Sequence, residues 1–220
     1  MAKSVNLVGS TTYQRIKHDI IFGDLAPASK LKLDVLKDRY SASLSTLRET
    51  LNRLASEGFV EALDQRGFFV TPVSQADLIE IANLRVLLEC HALRLSIQNG
   101  DTDWEGNLVS AHHKLHLTEQ KMITGDASGK EDWKRYDWEF HKALIEACGS
   151  KNLLALHSVL FDKYLRYQML VLTYRGEDAV AEHRDMFDAA LKRDADLASK
   201  VLKKHIDLGL AHALKAFTAG

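Results

Sequence analysis

The sequence predicts a mainly α-helical protein, in which a short segment of helices and a hairpin precedes a longer all-helical segment. The chain has 220 residues, and its only prolines, Pro27 and Pro72, lie in the first third. After residue 73, apolar side chains recur at spacings of three and four, as between Leu78 and Leu88, which is the period of amphipathic helices. The clearest strand-like alternation lies in two short runs around Asp-Gln-Arg-Gly at 64–67.

Composition sets the broad class of protein. The net charge is −1, and residues 1–73 carry ten Lys and Arg against eight Asp and Glu. This weak asymmetry permits a DNA-binding front part without demonstrating one. Cys90 and Cys148 form no pair motif, which favours a reduced, cytoplasmic protein. We expect no signal peptide and no membrane span, since no apolar run approaches the roughly 20 residues that a span requires.

The first third has the element order of a winged helix-turn-helix. One helix ends near Gly23, and a short second helix lies in "LKLDVLKDRYSAS". A third helix starts at Ser43 or Ser45 and stops at Gly58, and "FVEALDQRGFFV" then forms a small hairpin. We therefore predict a winged helix-turn-helix domain over residues 1–73.

The third helix and the hairpin tip carry the candidate DNA contacts. In a helix-turn-helix, the start of the recognition helix enters the major groove. Arg48 there could reach guanine or phosphate, and Ser45 and Thr46 could donate to phosphate oxygens. Arg66 and Gly67 occupy the tip of the hairpin, where a wing would meet DNA. Taken one by one, these residues also suit a solvated helix start and an ordinary turn.

The remainder, residues 74–220, is predicted to be an all-helical domain. Turn chemistry at 98–103, 124–129, 148–152 and 174–178 separates the helices. They are expected near 74–98, 103–124, 130–147, 152–173, 177–193 and 195–217. Ser74 and Asp77 form a plausible capping pair at the start of the first.

Four residues of this domain could hold a metal ion. Asp137 and His141 lie four residues apart and share one face of a helix. His183 and His205 each lie 11 residues from Asp194, the centre of a predicted turn. Both would stand about 16 Å from that turn, so they can meet in an antiparallel helical hairpin. One carboxylate and three imidazoles suit zinc, nickel, iron or manganese.

Spacing alone leaves alternatives open. The four residues could be unrelated polar positions on helices. His112 and His116 form an equally well-spaced pair, but no carboxylate elsewhere pairs with them, so we interpret them as surface histidines.

The stretch "LSTLRETLNRLASEGFVEALDQRGFFV" closely resembles the end of the GntR-family DNA-binding domain. That family shows Val/Leu-Arg-Glu-Ala-Leu, then Leu and Glu-Gly-Leu-Val, then a wing ending Arg-Gly-x-x-Val. The resemblance covers nearly all of residues 11–71. Many relatives carry arginine where this chain has Leu44, and another near Asp34, so the resemblance implies an operator that differs from the common one.

The stretches "DWEFHKALIEACGSKNL" and "EHRDMFDAALKRDADLASKVLKKHI" resemble the FCD effector domain of the FadR subfamily of GntR regulators. The resemblance covers about 74–216. It implies a helical bundle in which Asp137, His141, His183 and His205 hold a divalent metal, zinc first. It also implies a homodimer on double-stranded operator DNA and a small carboxylate effector. Arg85 is the first candidate to hold that effector and Arg166 a weaker one, although Arg85 could simply pair with Glu89 one turn on.

These features predict a ligand-responsive DNA-binding transcription regulator, most simply a repressor, and not an enzyme. One alternative is a direct metal sensor, in which the ion itself is the signal. The other is a metal-dependent hydrolase, but it would leave the winged part without a role, and Glu139 lies at the wrong helical angle to act as its base.

Overall fold

The computed structural model describes the chain over residues 2–125, 130–171 and 175–219, with side chains from 11–125, 132–170 and 175–216. The chain divides into two compact units. The first comprises Met1–Leu78 and Asp162–Leu172, and the second comprises Ile79–Phe161 and Thr173–Gly220. Across the described residues, no helix is both long and apolar enough to cross a membrane.

The N-terminal segment of the first unit has the predicted winged helix-turn-helix order. Its elements are α1 (Ala2–Ile21), β1 (Lys30–Leu31), α2 (Leu33–Tyr40), α3 (Leu44–Ser56), β2 (Val60–Leu63) and β3 (Gly67–Val70). The strands form an antiparallel sheet in the order β1-β3-β2, with Val60 opposite Val70. The sequence did not predict β1, because two residues are too few to show alternation.

Helix α3 packs its apolar face into the core of this unit. Leu47, Leu51 and Leu54 are fully buried, as the sequence predicted, and Phe59 is buried beside them. Ser43 caps the helix by accepting a hydrogen bond from the backbone of Thr46 at 3.1 Å. The polar start of α3 is therefore fixed in place while its exposed face stays open to solvent.

A later segment, Asp162–Leu172, which contains the second half of the helix Lys151–Val171, also belongs to the first unit. Lys17 on α1 forms an ion pair with Asp162 at 2.7 Å, and the hydroxyl of Tyr167 donates to Asp77 at 2.6 Å. The predicted division at residue 73 lies close to the end of the N-terminal segment, Leu78, but the sequence analysis assigned this later segment wholly to the second domain.

The all-helical remainder confirms the expected class, with helix bounds close to those predicted. The helices are α4 (Gln75–Asn99), α5 (Thr102–Ile123), α6 (Lys130–Ile145), α7 (Lys151–Val171), α8 (Glu177–Leu191) and α9 (Ala195–Ala219). The backbone of Asp77 donates to the Ser74 hydroxyl at 3.1 Å, as the capping prediction requires. The predicted turns at 124–129 and 174–178 lie partly outside the described residues.

The interior of the second unit combines an apolar core with an unusual group of charged side chains. Leu93, Leu108, Phe140, Phe161 and Met186 are buried. Among them are buried titratable residues: Arg85, Glu89, Glu119, Lys134, Asp137, His141, His157, Glu182 and His183. Buried charges are costly unless they are paired or bind metal, so this group marks the candidate site.

Candidate functional site

Three histidines from three helices meet inside the second unit. His141 lies on α6, His183 on α8 and His205 on α9, and their ligand atoms lie within 4.8 Å of one another. The rings of His183 and His205 have centroids 4.7 Å apart, and His141 lies 5.2 Å from His205. His141 and His183 are buried, whereas the side chain of His205 is 13% exposed.

The α8–α9 hairpin brings His183 and His205 to the same height. Its turn has Arg193 in the left-handed region at φ 58°, and the Asp194 carboxylate accepts from the backbone of Leu197 at 2.9 Å, which caps α9. Equal distances from this turn place the two rings side by side, as the spacing argument predicted.

Asp137 lies next to the triad, one turn before His141 on α6. One carboxylate oxygen, Oδ1, is 3.4 Å from Nε2 of His183. Burial alone would raise the pKa of Asp137, but Lys134, followed by the neighbouring histidines, lowers it to about 2. The carboxylate is therefore ionised and can serve as a fourth ligand.

Each histidine of the triad has a carboxylate near its Nδ1, although the contact at His141 is too long for a hydrogen bond among the described residues. His183 Nδ1 lies 2.6 Å from Glu119, His205 Nδ1 lies 2.9 Å from Glu182, and His141 Nδ1 lies 3.4 Å from Glu89. Carboxylates placed in this way fix ring orientation and leave Nε2 for a metal. In agreement with this, Nε2 of His183 is buried and has no hydrogen-bond partner among the described residues.

The donor set therefore fits a divalent metal ion. Three imidazoles and one carboxylate suit zinc and also nickel, iron or manganese. Burial lowers the pKa of His141 and, together with the neighbouring His183, that of His205. Neutral imidazoles are the form that binds metal.

Arg85 and Glu89 form a buried ion pair on α4. Arg85 Nε lies 2.6 Å from Glu89 Oε1, and the guanidinium lies 4.7 Å from the centre of the Phe161 ring. Glu89 also lies 3.1 Å from His157 Nε2 on α7. Burial opposes ionisation of Glu89, but Arg85, more than the two histidines, holds its pKa well below the usual value. The pairing that the sequence left open for Arg85 is thus present, and the same carboxylate faces the triad.

Arg175, which the sequence analysis did not single out, lies at the edge of the triad. One of its nitrogens lies 2.6 Å from Glu182 and 3.0 Å from Nδ1 of His205. Nδ1 cannot accept from Arg175 and donate to Glu182 at once, because a ring nitrogen either carries a proton or does not. A metal on Nε2 would favour the tautomer that donates to Glu182.

Arg166 lies elsewhere, in the first unit. It is buried on α7, and its guanidinium donates to the carbonyl oxygen of Thr71. The structure therefore does not group it with the three histidines.

The remaining histidine pair has a packing role in part. His116 is exposed as predicted, but His112 is half-buried and stacks on Phe187 with ring centroids 4.2 Å apart. Burial, with a smaller contribution from His116, lowers the pKa of His112 to about 4. His112 is therefore a partly exposed residue whose ring also packs against Phe140 and Phe187, a contact that the sequence did not predict.

The predicted DNA contacts lie on the exposed side of α3 and on the hairpin tip. Ser45, Arg48, Arg66 and Gly67 are exposed, and Thr46 is half-exposed. Gly67 has φ +91°, a backbone conformation that residues with a side chain rarely adopt. Within the described parts of the chain, neither arginine forms an ion pair with a carboxylate, so both are available to phosphate or bases.

Sequence reasoning missed the residues around the triad: Glu119, Lys134, His157, Arg175 and Glu182. Four of them lie on α5, α6, α7 and α8, Arg175 lies just before α8, and no spacing rule links them. Glu182 precedes His183 directly, but adjacent residues do not share a helix face, so nothing in the sequence indicated that Glu182 would contact His205.

Comparison with known proteins identifies both parts of the chain. Residues 9–70 match the family model described as bacterial regulatory proteins, gntR family, and residues 80–208 match the FCD domain. The chain is 37% identical over 202 residues to BphR of Paraburkholderia xenovorans, described as an uncharacterized HTH-type transcriptional regulator; the match covers 91% of this chain and 82% of BphR. It is 32% identical over 202 residues to the HTH-type transcriptional repressor GlaR of Escherichia coli, covering 88% and 90%.

A solved structure has the same fold. The chain superposes on E. coli McbR/YncC with a TM-score of 0.80 at 18% identity, over 96% of this chain and 98% of the other. At this identity the likeness concerns the fold alone. The family matches confirm the two resemblances found in the sequence.

Proposed function

Since this chain belongs to the GntR family of bacterial regulators, with an FCD domain behind its DNA-binding domain, we propose that it is a repressor released by a small carboxylate bound at a metal ion. Its relatives are transcription regulators, so the chain is a DNA-binding regulator and the hydrolase alternative is set aside. The FCD domain supports a place in the FadR subfamily. We place the protein in the cytoplasm, where bacterial DNA lies.

The histidine triad carries this proposal. The ligand atoms of three imidazoles lie within 4.8 Å of one another, and a carboxylate lies near Nδ1 of each ring. Such a cluster suits a divalent ion, and the same chain carries a DNA-binding domain. We propose that Asp137, His141, His183 and His205 hold the ion and that it is zinc, since three histidines and one carboxylate suit zinc.

The metal would supply positive charge at which an anionic effector can bind. Among the cations of this unit, we propose Arg85 as the group that holds the effector carboxylate. Its ion pair with Glu89 does not prevent this, because an incoming carboxylate can share or replace Glu89 as the acceptor. Glu89 also lies 3.4 Å from Nδ1 of His141, so a ligand that displaces Glu89 from Arg85 would alter the surroundings of a proposed metal ligand.

On the DNA side, we propose that Ser45, Thr46, Arg48, Arg66 and Gly67 contact double-stranded operator DNA. Arg48 lies near the start of the recognition helix, where side chains reach base edges. Ser45 and Thr46 suit phosphate contacts, and Arg66 with Gly67 form the wing tip. We propose a homodimer, because a roughly palindromic operator requires a two-fold symmetric protein.

Release follows from linkage. The effector is taken to bind more tightly to the form with low DNA affinity. By linkage, it then lowers DNA affinity by the same factor by which bound DNA lowers the affinity for the effector. The name of GlaR, a repressor, supports repression over activation for this chain. The second candidate is a direct metal sensor, which the triad equally supports, because metal binding alone could shift the same equilibrium.

A gel shift tests the function. Purified protein is titrated onto the DNA upstream of its own gene at stated salt, beside Arg48→Ala and the matched control Arg184→Ala, an exposed residue of α8. We expect competitor-resistant binding that Arg48→Ala weakens by about 1–3 kcal/mol if the residue reads a base, and that Arg184→Ala leaves unchanged.

The same assay separates the two signals. The metal-free and zinc-loaded proteins are compared without an organic ligand, and a panel of carboxylates is then added to each. Release by a carboxylate only when zinc is present supports the proposal, whereas release by zinc alone supports the metal sensor. Equal, weak and salt-sensitive binding by wild type and Arg48→Ala would contradict a sequence-specific role for α3.

A further inference from the structure

A cavity of about 360 Å3 lies in the first unit, and none of its lining residues belongs to the histidine triad. Its walls are the end of α3 with the following Gly58, the start of β2, the residue after β3, the start of α4 and the second half of α7. Ligand pockets in proteins start at roughly 300 Å3, so this one has room for a small molecule. The proposed metal-linked function makes no use of it.

Two residues that line this cavity each carry a buried donor without a partner among the described residues. Arg166 is 4% exposed, and while one terminal nitrogen donates to the carbonyl oxygen of Thr71, its Nε is buried with no hydrogen-bond partner among the described residues. The hydroxyl of Thr71 is likewise buried and unpartnered in the described structure. Buried polar groups are nearly always satisfied in native proteins, so an acceptor that reached these two groups from the cavity would be stabilised.

One of the two cations on the wall is available to an anion. Lys163, one turn before Arg166 on α7, also lines the cavity and forms no ion pair within the part of the chain described. The wall also carries two carboxylates, Asp77, which accepts the Tyr167 hydroxyl at 2.6 Å, and Glu61 on β2. They balance the two cations, so an anion would bind by hydrogen bonds and by pairing with Lys163, not through an excess of positive charge. Burial lowers the pKa of Arg166 more than Tyr167 and Asp77 raise it, which agrees with a cation that lacks full compensation.

We propose that this cavity binds a small organic anion, a carboxylate or a phosphate monoester, through Arg166 Nε, the Thr71 hydroxyl and the Lys163 ammonium. The sequence analysis predicted that Arg166 binds an effector, and the cavity gives that residue a site of its own. The site lies between the end of the recognition helix, at Ala55 and Gly58, and the base of the wing. Its occupant would hold these two DNA-facing elements in one arrangement.

Isothermal titration of the full chain tests this. The protein is stripped of metal with a chelator that is then dialysed away, and it is titrated separately with succinate and with inorganic phosphate. We expect saturable binding of at least one probe, and the probe that binds identifies the carboxylate or the phosphate class. Each charge-assisted hydrogen bond lost should weaken binding by about tenfold or more.

The variants are Arg166→Gln, Lys163→Gln and Thr71→Val. Thr71→Val keeps the carbonyl that Arg166 binds, so it tests the site even if Arg166→Gln fails to fold. Lys151→Gln, an exposed residue at the start of α7, is the matched control. About tenfold weaker binding in Lys163→Gln, a clear loss in Thr71→Val and none in Lys151→Gln would support the site.

Binding that is equal in wild type and in all three variants would overturn the proposal, and so would the absence of saturable binding by both probes. These outcomes do not depend on the metal-linked function, because no metal is present and none of the varied residues belongs to the triad. A failure here therefore leaves the proposed effector site standing, and a failure there leaves this one standing.

Discussion

Replacing Glu119 by glutamine tests whether the carboxylates behind the triad belong to a metal site. Glu119 is 1% exposed, and its Oε1 lies 2.6 Å from Nδ1 of His183. When a metal occupies Nε2, Nδ1 carries the proton and donates it to this carboxylate. Glu119→Gln keeps the size of the side chain but removes the charge that makes the imidazole a stronger ligand.

The loss can be estimated from the geometry. Partners of metal-bound histidines typically contribute 10–100-fold to metal affinity, which is about 1.4–2.7 kcal/mol. Both side chains of this pair are 1% exposed and the contact is short. Since solvent does not screen the pair, we expect a loss toward the upper end of that range.

Competition with a chromophoric chelator measures zinc affinity for the two proteins, and circular dichroism checks that both are folded. Glu139→Gln is the matched control. Glu139 lies 3.4 Å from Lys114, is 32% exposed and contacts Arg135, so its replacement should leave zinc affinity unchanged. If Glu119→Gln binds zinc as tightly as wild type, His183 does not bind metal in the orientation that the structure shows, and the argument from paired carboxylates fails.

Three further predictions follow from the same structure. His183→Ala and His205→Ala should each lower zinc content and effector affinity, as measured by metal analysis and titration; unchanged zinc in either variant removes that histidine from the site. Metal-free protein should lose stability as the pH falls below about 6.5, the usual histidine pKa. Burial lowers the pKa of His141 and His205 in the folded state, so the unfolded chain binds more protons below that pH. Urea unfolding above and below that pH measures the effect, and constant stability would contradict it. Leu51→Ala in the buried face of α3 should destabilise the DNA-binding unit by about 2–5 kcal/mol, and a loss well below 1 kcal/mol would mean that α3 packs differently.

The sequence predicted the helices from periodicity and the meeting of His183 and His205 from their spacing, whereas the addition of Asp137 and His141 was supported by the resemblance to the FCD domain. A period of three and four residues fixes which face of α3 is apolar, and Leu47, Leu51 and Leu54 are buried as that pattern requires. Equal chain distances from Asp194 place His183 and His205 at one height, whatever the rest of the fold.

Features that depend on packing between distant helices were not predictable in this way. Glu119 reaches His183 across 64 residues of sequence, and Arg166 reaches Thr71 across 95. The sequence did not decide whether Arg85 pairs with Glu89 or binds an effector. The structure contains the buried pair, with Arg85 Nε 2.6 Å from Glu89 Oε1, and effector binding by Arg85 stays a proposal. Such contacts require the three-dimensional arrangement, which periodicity does not encode.

The charges around the triad support recognition of an anion over catalysis. Four carboxylates face three cations in this part of the second unit: Glu89, Glu119, Asp137 and Glu182 against Arg85, Lys134 and Arg175. The group therefore carries one formal negative charge when the histidines are neutral, and a divalent ion converts that to one positive charge. Glu119 and Glu182 already lie within hydrogen-bond distance of histidine Nδ1 atoms, and Glu89 is paired with Arg85. In this arrangement these carboxylates serve to orient and pair, and they are not placed as a general base. One additional carboxylate would bring the buried charge to zero, and neutralising a buried charge is a strong source of affinity in a low-dielectric interior.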